Sequence, residues 1–277
     1  MADISASAVK ALREQTGLPM MDCKRALEEV GGDSAAAVEL LRTKGKAKMS
    51  DRGTSRETAF GRFAIFSSLQ PAVGTIIDLR CESAPVAGHE EFVRLAHNLA
   101  EQLALGPGAA TPDELLDQPS PGVPGQTLRQ QFDDLTNRIR EVFRLKRIVR
   151  IDSTCAGYVH HNGANAVLLQ IEGSNVEAAR DICMHTAALR PMVLAKGDMD
   201  PAEVAKEREI LAEQARQEGK PEKIIEKMVE GRLRDFYAKH CLLEQPFVKD
   251  PAKTVGEVAK EAGLKVVKFI HWELGRE

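Results

Sequence analysis

Aromatic residues, long apolar runs and an excess of positive charge are all missing or scarce in this sequence. Only 4% of the 277 residues are Phe, Trp or Tyr, so the hydrophobic cores must be built from smaller apolar side chains. No apolar run approaches the roughly 20 residues of a transmembrane helix, and Met1–Ile4 does not resemble the start of a signal peptide. The net charge of −3 argues against a general nucleic-acid binder, which needs a basic face.

The cysteines are not arranged for a disulfide framework. They are scattered, odd in number and without a CxxC pair: Cys23, Cys81, Cys155, Cys183 and Cys241. This pattern is typical of buried free thiols in a reducing compartment, so we expect a cytoplasmic protein.

Familiar enzyme motifs are absent too. The sequence contains no G-x-x-x-x-G-K-[ST], no G-x-S-x-G and no H-E-x-x-H. The strongest metal-site candidate is a set of cysteines and histidines: Cys155, His160, His161, Cys183 and His185. Because Cys183 and His185 are two positions apart on a predicted helix, their side chains should point to different sides. We therefore expect a protein without a bound metal, without a cofactor and without enzymatic activity. His97 and His185 are expected on helix surfaces or at the edge of a core.

Residues 1–50 are predicted to form three short helices separated by glycine and proline. Met20 and Met21 stand at the entrance of the second helix. Adjacent helical positions differ by about 100° in direction, so one small core cannot readily bury both side chains. We expect at least one exposed thioether, which adapts well to a partner surface. The alternative, with both methionines filling the core, stays open on the local sequence.

A basic linker over 51–56 is predicted to lead into a first core subdomain over 57–150. Apolar runs with turn residues between them predict a hairpin, and apolar residues at helical spacing predict helices. The elements are a hairpin turning at Gln70-Pro71, helices over His89–Leu105 and Leu128–Phe143, and a Pro- and Gly-rich loop over 106–125.

The same order of hairpin and helix recurs over 151–200, with a turn at Asn162-Gly163. This weak repeat predicts a second, similar subdomain. Residues 243–277 are predicted to return to this subdomain with a short helix and a last strand. Side chains alternate between the two faces of a strand, which places Val266 on the same side as Trp272.

A long helical hairpin is predicted over 201–242, turning at Gly219-Lys220-Pro221. Charged residues surround an apolar seam, as in an antiparallel coiled coil. The predicted fold is therefore α+β, with a three-helix N-terminal module, two tandem hairpin-plus-helix core subdomains and an antiparallel coiled-coil arm.

Three stretches of sequence, in the same order along the chain, match one protein family. They are Ser5–Gly17 with Met20–Leu27, Gly219–Pro221 with Glu226–Arg232, and Leu242–Val248 with Lys253–Val255. On these residues the chain resembles bacterial elongation factor Ts, the guanine-nucleotide exchange factor of elongation factor Tu, over nearly its whole length. The resemblance implies that the N-terminal module is ubiquitin-associated-like. It also implies that the partner is elongation factor Tu, with no direct contact to nucleic acid or membrane.

The resemblance also implies partner-binding residues. Lys10, Arg13, Met20 and Met21 match the module surface that grips the nucleotide domain of the GTPase. His160 matches a histidine of the second subdomain that contacts the partner.

The important departure from the family lies within the loop expected to dislocate Mg²⁺, which consists of Ser83, Ala84, Pro85 and Val86. Where the family has Cys-Glu-Thr-Asp-Phe-Val, this chain has Cys-Glu-Ser-Ala-Pro-Val. The Asp and Phe that the family drives into the GTPase near its magnesium site are absent. Three interpretations stay open: a rigid wedge matched to its own partner, exchange through the other contacts, or binding with little exchange. The last would make the protein an adaptor.

Overall fold

The predicted N-terminal helices form α1 (Ala6–Thr16), α2 (Met20–Glu29) and α3 (Ser34–Gly53). The structure is a computed structural model, and it describes residues 4–53, 56–219 and 221–276. Leu12, Cys23 and Leu27 form the centre of their shared core. Helix α3 continues to Gly53, into the predicted linker, because its Lys-, Ala- and Arg-containing sequence favours helix. Residues 54 and 55 of that linker lie outside the described part.

The first subdomain is built on an antiparallel sheet of β1 (Phe60–Leu69), β2 (Ala72–Cys81) and β3 (Arg144–Ile151), with β2 in the middle. The hairpin of β1 and β2 turns at Gln70-Pro71, as predicted. Strand β3 was missed from the sequence. Its four basic residues are interspersed with Leu, Ile and Val, and charged residues are common in an edge strand, where they oppose pairing with another chain.

Helices cover one face of this sheet: α4 (Ala84–Ala87), α5 (Glu90–Leu105), α6 (Pro112–Leu116) and α7 (Leu128–Ile139). The predicted loop over 106–125 was wrong in part, since α6 begins there with Thr111 as its cap. Helix α7 ends four residues before the predicted Phe143, because Arg140 adopts a left-handed conformation with φ +66°. Phe143 still packs edge-on against Phe92 in the core.

The second subdomain contains β4 (Cys155–Val159), β5 (Asn165–Glu172) and β8 (Lys265–Glu273), with β5 in the middle, and helices α8 (Val176–Leu189) and α11 (Val255–Glu261). A short hairpin of β6 (Pro246–Phe247) and β7 (Asp250–Thr254) precedes α11. The predicted last strand is confirmed as β8. The prediction that Val266 lies on the same side of this strand as Trp272 was wrong. The register shifts by one residue near Ile171, so Val266 packs towards α8 while Trp272 faces the first sheet.

The two sheets pack face to face around a shared apolar layer. Its buried members are Phe63, Ile76, Cys155, Ala166, Leu168 and Trp272. The approach is close at Gly157, where a Cβ atom would lie 2.5 Å from Cγ2 of Ile65. Any side chain at this position would therefore push the sheets apart.

The predicted helical hairpin forms from α9 (Pro201–Gln217) and α10 (Glu222–His240). Lys220 of the predicted turn lies outside the described residues. The buried seam consists of Leu211, Ala215, Ile225, Val229 and Leu233. The neighbours Ile210 and Ile224 are exposed, because adjacent helical positions cannot both face the seam. Across the described part of the chain, no helix has the length and apolar content required to cross a membrane.

Candidate functional site

The two methionines are both on the surface of the N-terminal helices. Met20 and Met21 are the first residues of α2 and are 48% and 59% exposed. Cys23 and Leu27 of the same helix face the core, so the expectation of at least one exposed thioether is confirmed and the core-filling alternative is wrong. Two adjacent exposed thioethers form an adaptable apolar surface.

Lys10 and Arg13 lie on the exposed surface of α1. Lys10 forms a long i,i+4 ion pair with Glu14, at 3.9 Å from Nζ to Oε1. Both ends of this pair are solvated, so it contributes little to stability. The two cations are therefore accessible for contact with a partner.

The segment Ser83–Val86, predicted as a loop, is instead the start of the one-turn helix α4. Ser83 occupies the N-cap position, and Pro85 lies in the first turn, where its missing N–H is not needed. Ala84 and Pro85 are exposed. Val86 is half-buried against the core of the first subdomain. The turn thus presents a small, rigid, uncharged surface.

Two carboxylates hold this turn against the end of α7. Glu141 accepts the Ser83 N–H at 3.1 Å and the Ser83 hydroxyl at 2.6 Å. In return, Glu82 accepts the Val142 N–H at 2.6 Å. Segments 82–83 and 141–142 therefore clamp each other reciprocally, and charge-assisted bonds of this kind are among the stronger hydrogen bonds in proteins.

Arg62 of β1 connects the helical turn to the second subdomain. Its Nη1 donates to the Ala87 carbonyl at 3.0 Å. On the other side, the N–H of Phe63 donates to the carbonyl of Gly163 at 2.8 Å, and Gly163 itself lies directly against the Arg62 side chain. Burial lowers the pKa of Arg62. Helix α4 and the turn between β4 and β5 therefore flank the same residues of β1.

His160 begins that turn and is half-buried. Its Nδ1 lies 2.8 Å from the Tyr158 hydroxyl, and its ring centroid is 4.2 Å from that of the exposed His161. The Tyr158 contact holds the imidazole in one orientation, and the ring remains partly exposed. Neither Glu141 nor Arg62 was singled out from the sequence.

The metal-site candidate is not assembled. Cys155 packs between the two sheets, whereas Cys183 lies in the separate core beneath α8. Burial raises the pKa of Cys155 to about 11 and that of Cys183 further still, so both remain thiols at neutral pH. Among the residues that the structure describes, no group of three or more His, Cys, Asp or Glu side chains is placed to hold a metal ion.

His185 is fully buried, so the expectation that it lies at a helix surface or core edge was wrong. Its Nδ1 accepts the Val248 N–H at 3.1 Å, and its Nε2 lies 2.9 Å from Oε1 of Gln245. Since Nδ1 is an acceptor, the ring is neutral and Nε2–H is the donor to Gln245. His185 thereby joins α8 to the segment that leads into the β6–β7 hairpin.

We expect the free energy of unfolding to fall as the pH drops below about 6.5, the ordinary pKa of histidine. Burial lowers the pKa values of His185 and His271. The unfolded chain then binds protons that the folded chain does not, and each such histidine contributes a slope approaching about 1.4 kcal/mol per pH unit.

Urea unfolding at pH 7.5 and pH 5.5 measures this fall. His185→Gln should reduce it, and His161→Asn, which alters an exposed histidine, should leave it unchanged. An equal fall in His185→Gln and the wild type would contradict the assignment to His185.

Comparison with known proteins gives one consistent result. The chain matches the Elongation factor TS family over residues 85–276. It is 42% identical to elongation factor Ts of Alkalilimnicola ehrlichii, over 98% of this chain and 92% of that protein. It is 39% identical to elongation factor Ts of Aquifex aeolicus, over 98% of each chain. It is 40% identical to elongation factor Ts of Clostridium botulinum, over 98% of this chain and 93% of that protein.

Proposed function

Because the chain belongs to the elongation factor Ts family, we propose that it serves translation by binding elongation factor Tu·GDP and promoting the release of GDP. Similarity to elongation factors Ts over 98% of the chain is the observation that carries this proposal. The protein would act by binding alone, without covalent catalysis and without a cofactor of its own.

Together with this function we propose the domain organisation that was predicted from the sequence. The helices α1–α3 would be a ubiquitin-associated-like module, with α3 extending it to Gly53. The core subdomains would span 57–150 and 151–200, the second completed by 243–277, and α9 with α10 would form a coiled-coil arm over 201–242. The separate cores of the N-terminal helices, the two subdomains and the helical hairpin support this division.

Nucleotide exchange follows from thermodynamic linkage. A protein that binds nucleotide-free elongation factor Tu more tightly than the GDP-bound form must weaken GDP binding by the same factor. Its contacts therefore need to favour the GTPase conformation in which the Mg²⁺ and phosphate site is disturbed. No acid, base or nucleophile is required for this effect.

The contacts divide into holding and displacing surfaces. We assign the holding role to Lys10, Arg13, Met20 and Met21 on the N-terminal helices. His160 would hold a second surface of the partner. The displacing role falls to Ser83–Val86, whose exposed Ala84 and Pro85 form a rigid projection. Several contacts on one framework raise the affinity and keep the displacing turn aligned.

The direct test is release of a fluorescent GDP analogue from the cognate elongation factor Tu. The protein is added with excess unlabelled GDP, and the release rate is followed as its concentration rises. Acceleration that saturates supports exchange. A complex without acceleration would instead favour the adaptor function, for which the loss of the family's Asp and Phe at Ala84 and Pro85 is the specific argument. Neither a complex nor acceleration at micromolar concentrations would refute both.

Replacing Met20 and Met21 together by alanine should weaken binding to elongation factor Tu by about tenfold or more, because burying each thioether side chain contributes on the order of 1.5 kcal/mol. Folding should be unaffected, since both residues are exposed. Calorimetric titration measures the affinity, and thermal unfolding measures stability. The matched control is Met192→Ala, which removes a methionine that is 60% exposed outside the proposed surface. Equal affinities of the double variant and the control would contradict the holding role.

A further inference from the structure

The reciprocal clamp between residues 82–83 and 141–142 adjoins a second contact that leads to the N-terminal helices. Arg140, the residue before Glu141, donates from Nη2 to Oδ2 of Asp22 at 2.6 Å. Asp22 directly follows the exposed Met20 and Met21 in α2. A continuous set of contacts therefore joins the methionine surface, through Asp22, Arg140 and Glu141, to the helical turn at Ser83.

The backbone makes this connection stiff. Arg140 has φ +66°, in the left-handed region that non-glycine residues rarely adopt. In that conformation it ends α7 while its guanidinium reaches Asp22 and the next residue, Glu141, reaches Ser83. Further polar contacts fix α7 to the N-terminal helices, including two hydrogen bonds from Arg42 to Asp134 at 3.2 and 2.9 Å.

We propose that Glu141 is the positioning residue of the turn Ser83–Ala87, and that the Arg140–Glu141 pair holds this turn in a fixed orientation relative to the helix that carries Met20 and Met21. Glu141 does not touch the partner. It fixes the direction in which Ala84 and Pro85 project when the N-terminal helices are bound. The consequence for nucleotide release rests on the function proposed above, whereas the positioning itself is a property of the free protein.

Glu141→Gln tests the positioning without changing side-chain size. The amide is uncharged and has one acceptor oxygen where the carboxylate has two, so the two charge-assisted hydrogen bonds from Ser83 are replaced by weaker neutral ones, with the amide NH₂ turned towards the Ser83 hydroxyl. In the free protein, amide hydrogen exchange should accelerate about fivefold or more at residues 87–89, whose N–H groups donate to the carbonyls of Ser83, Pro85 and Val86.

The control for this measurement is Glu114→Gln. Glu114 also accepts a backbone N–H, that of Ala110 at 2.8 Å, but in the 106–125 segment. The Glu114→Gln variant should leave amide hydrogen exchange at residues 87–89 unchanged. Unchanged exchange in Glu141→Gln would overturn the positioning role, whatever the activity of the protein.

Nucleotide release gives the functional readout. At saturating protein, Glu141→Gln should release GDP about tenfold more slowly, the equivalent of one charge-assisted hydrogen bond, while the half-saturating concentration changes less than twofold. Ser83→Ala should have the same effect, and the double variant should be no slower than either single variant.

Arg140→Gly tests the connection to the N-terminal helices. Glycine keeps the left-handed backbone but removes the contact with Asp22, so release should slow by about twofold to fivefold, within the range of a partly exposed ion pair. Unchanged release in Arg140→Gly would overturn the connection, and unchanged release in Glu141→Gln would overturn the functional part. If the wild type accelerates no release, the proposed function fails, and amide exchange still decides the positioning.

Discussion

Replacing Asp78 by alanine is expected to lower the free energy of unfolding by about 3–5 kcal/mol, because it removes the acidic partner from a buried group of charges. Asp78 lies in the middle of β2 and its side chain is fully buried. It accepts two hydrogen bonds from Arg80, at 2.5 and 3.0 Å, and one from Nε of Arg147 at 3.0 Å.

Arg147 makes this group important for the contact between the two sheets. Its guanidinium lies 4.2 Å from the ring centroid of Trp272 in β8, so it joins Asp78 of the first sheet to the second sheet. Its Nη2 is buried and has no hydrogen-bond partner among the described residues. With Asp78 gone, the positive charge beside Trp272 would lose its carboxylate, which is the costly outcome for a buried pair.

Urea unfolding followed by Trp272 fluorescence measures this loss, because the single tryptophan reports on the layer between the sheets. Asp152→Ala is the matched control. Asp152 pairs with Arg150 at 2.7 Å, but its side chain is 72% exposed, so its removal should cost less than about 1 kcal/mol. Asp78→Asn should lie between the two variants. Similar losses in Asp78→Ala and Asp152→Ala would contradict the importance of burial.

The parts of the fold that were predictable from the sequence are those set by local patterns. The β1–β2 hairpin follows from two apolar runs on either side of Gln70-Pro71, and the exposure of the methionines follows from the angle between adjacent helical positions. The end of α7 was not predictable, because a left-handed arginine carries no signal of its own in the sequence. The reversed facing of Val266 depends on one extra residue opposite β5, which alternation alone does not reveal.

The sequence predicted candidate residues for the site, both exposed ones such as Met20 and half-buried ones such as His160, but not the contacts that hold them in place. Glu141 is separated from Ser83 by 58 positions, and Arg62 from Ala87 by 25. The Glu141–Ser83 contact arises because the chain returns to the first hairpin between α7 and β3, a strand that was not predicted, and the Arg62–Ala87 contact arises from the packing of α4 against β1. A glutamate that follows a helix carries no specific signal in the sequence. The role of Glu141 becomes clear only from the structure, in which its carboxylate oxygens accept hydrogen bonds from Ser83.

Restoring the family's residues at Ala84 and Pro85 should increase the rate of GDP release. In Ala84→Asp/Pro85→Phe, both new side chains replace exposed ones on the first turn of α4, so they alter the surface and not the core. A phenylalanine that becomes buried against the partner contributes on the order of 1 kcal/mol more than proline, and we expect about a fivefold to tenfold faster release at saturation. Asp is also favourable in the first turn of a helix.

The matched control makes the same two exchanges at another exposed pair, Pro251→Phe/Ala252→Asp in β7. It should release GDP at the wild-type rate. If Ala84→Asp/Pro85→Phe and the control were equally fast, the turn would not be the displacing element, and exchange would have to operate through the other contacts. If the variant binds the partner more tightly but releases GDP no faster, the added contact is made equally to the GDP-bound and nucleotide-free forms. A displacing turn has to distinguish those two forms, because only a difference in affinity between them can drive the nucleotide out.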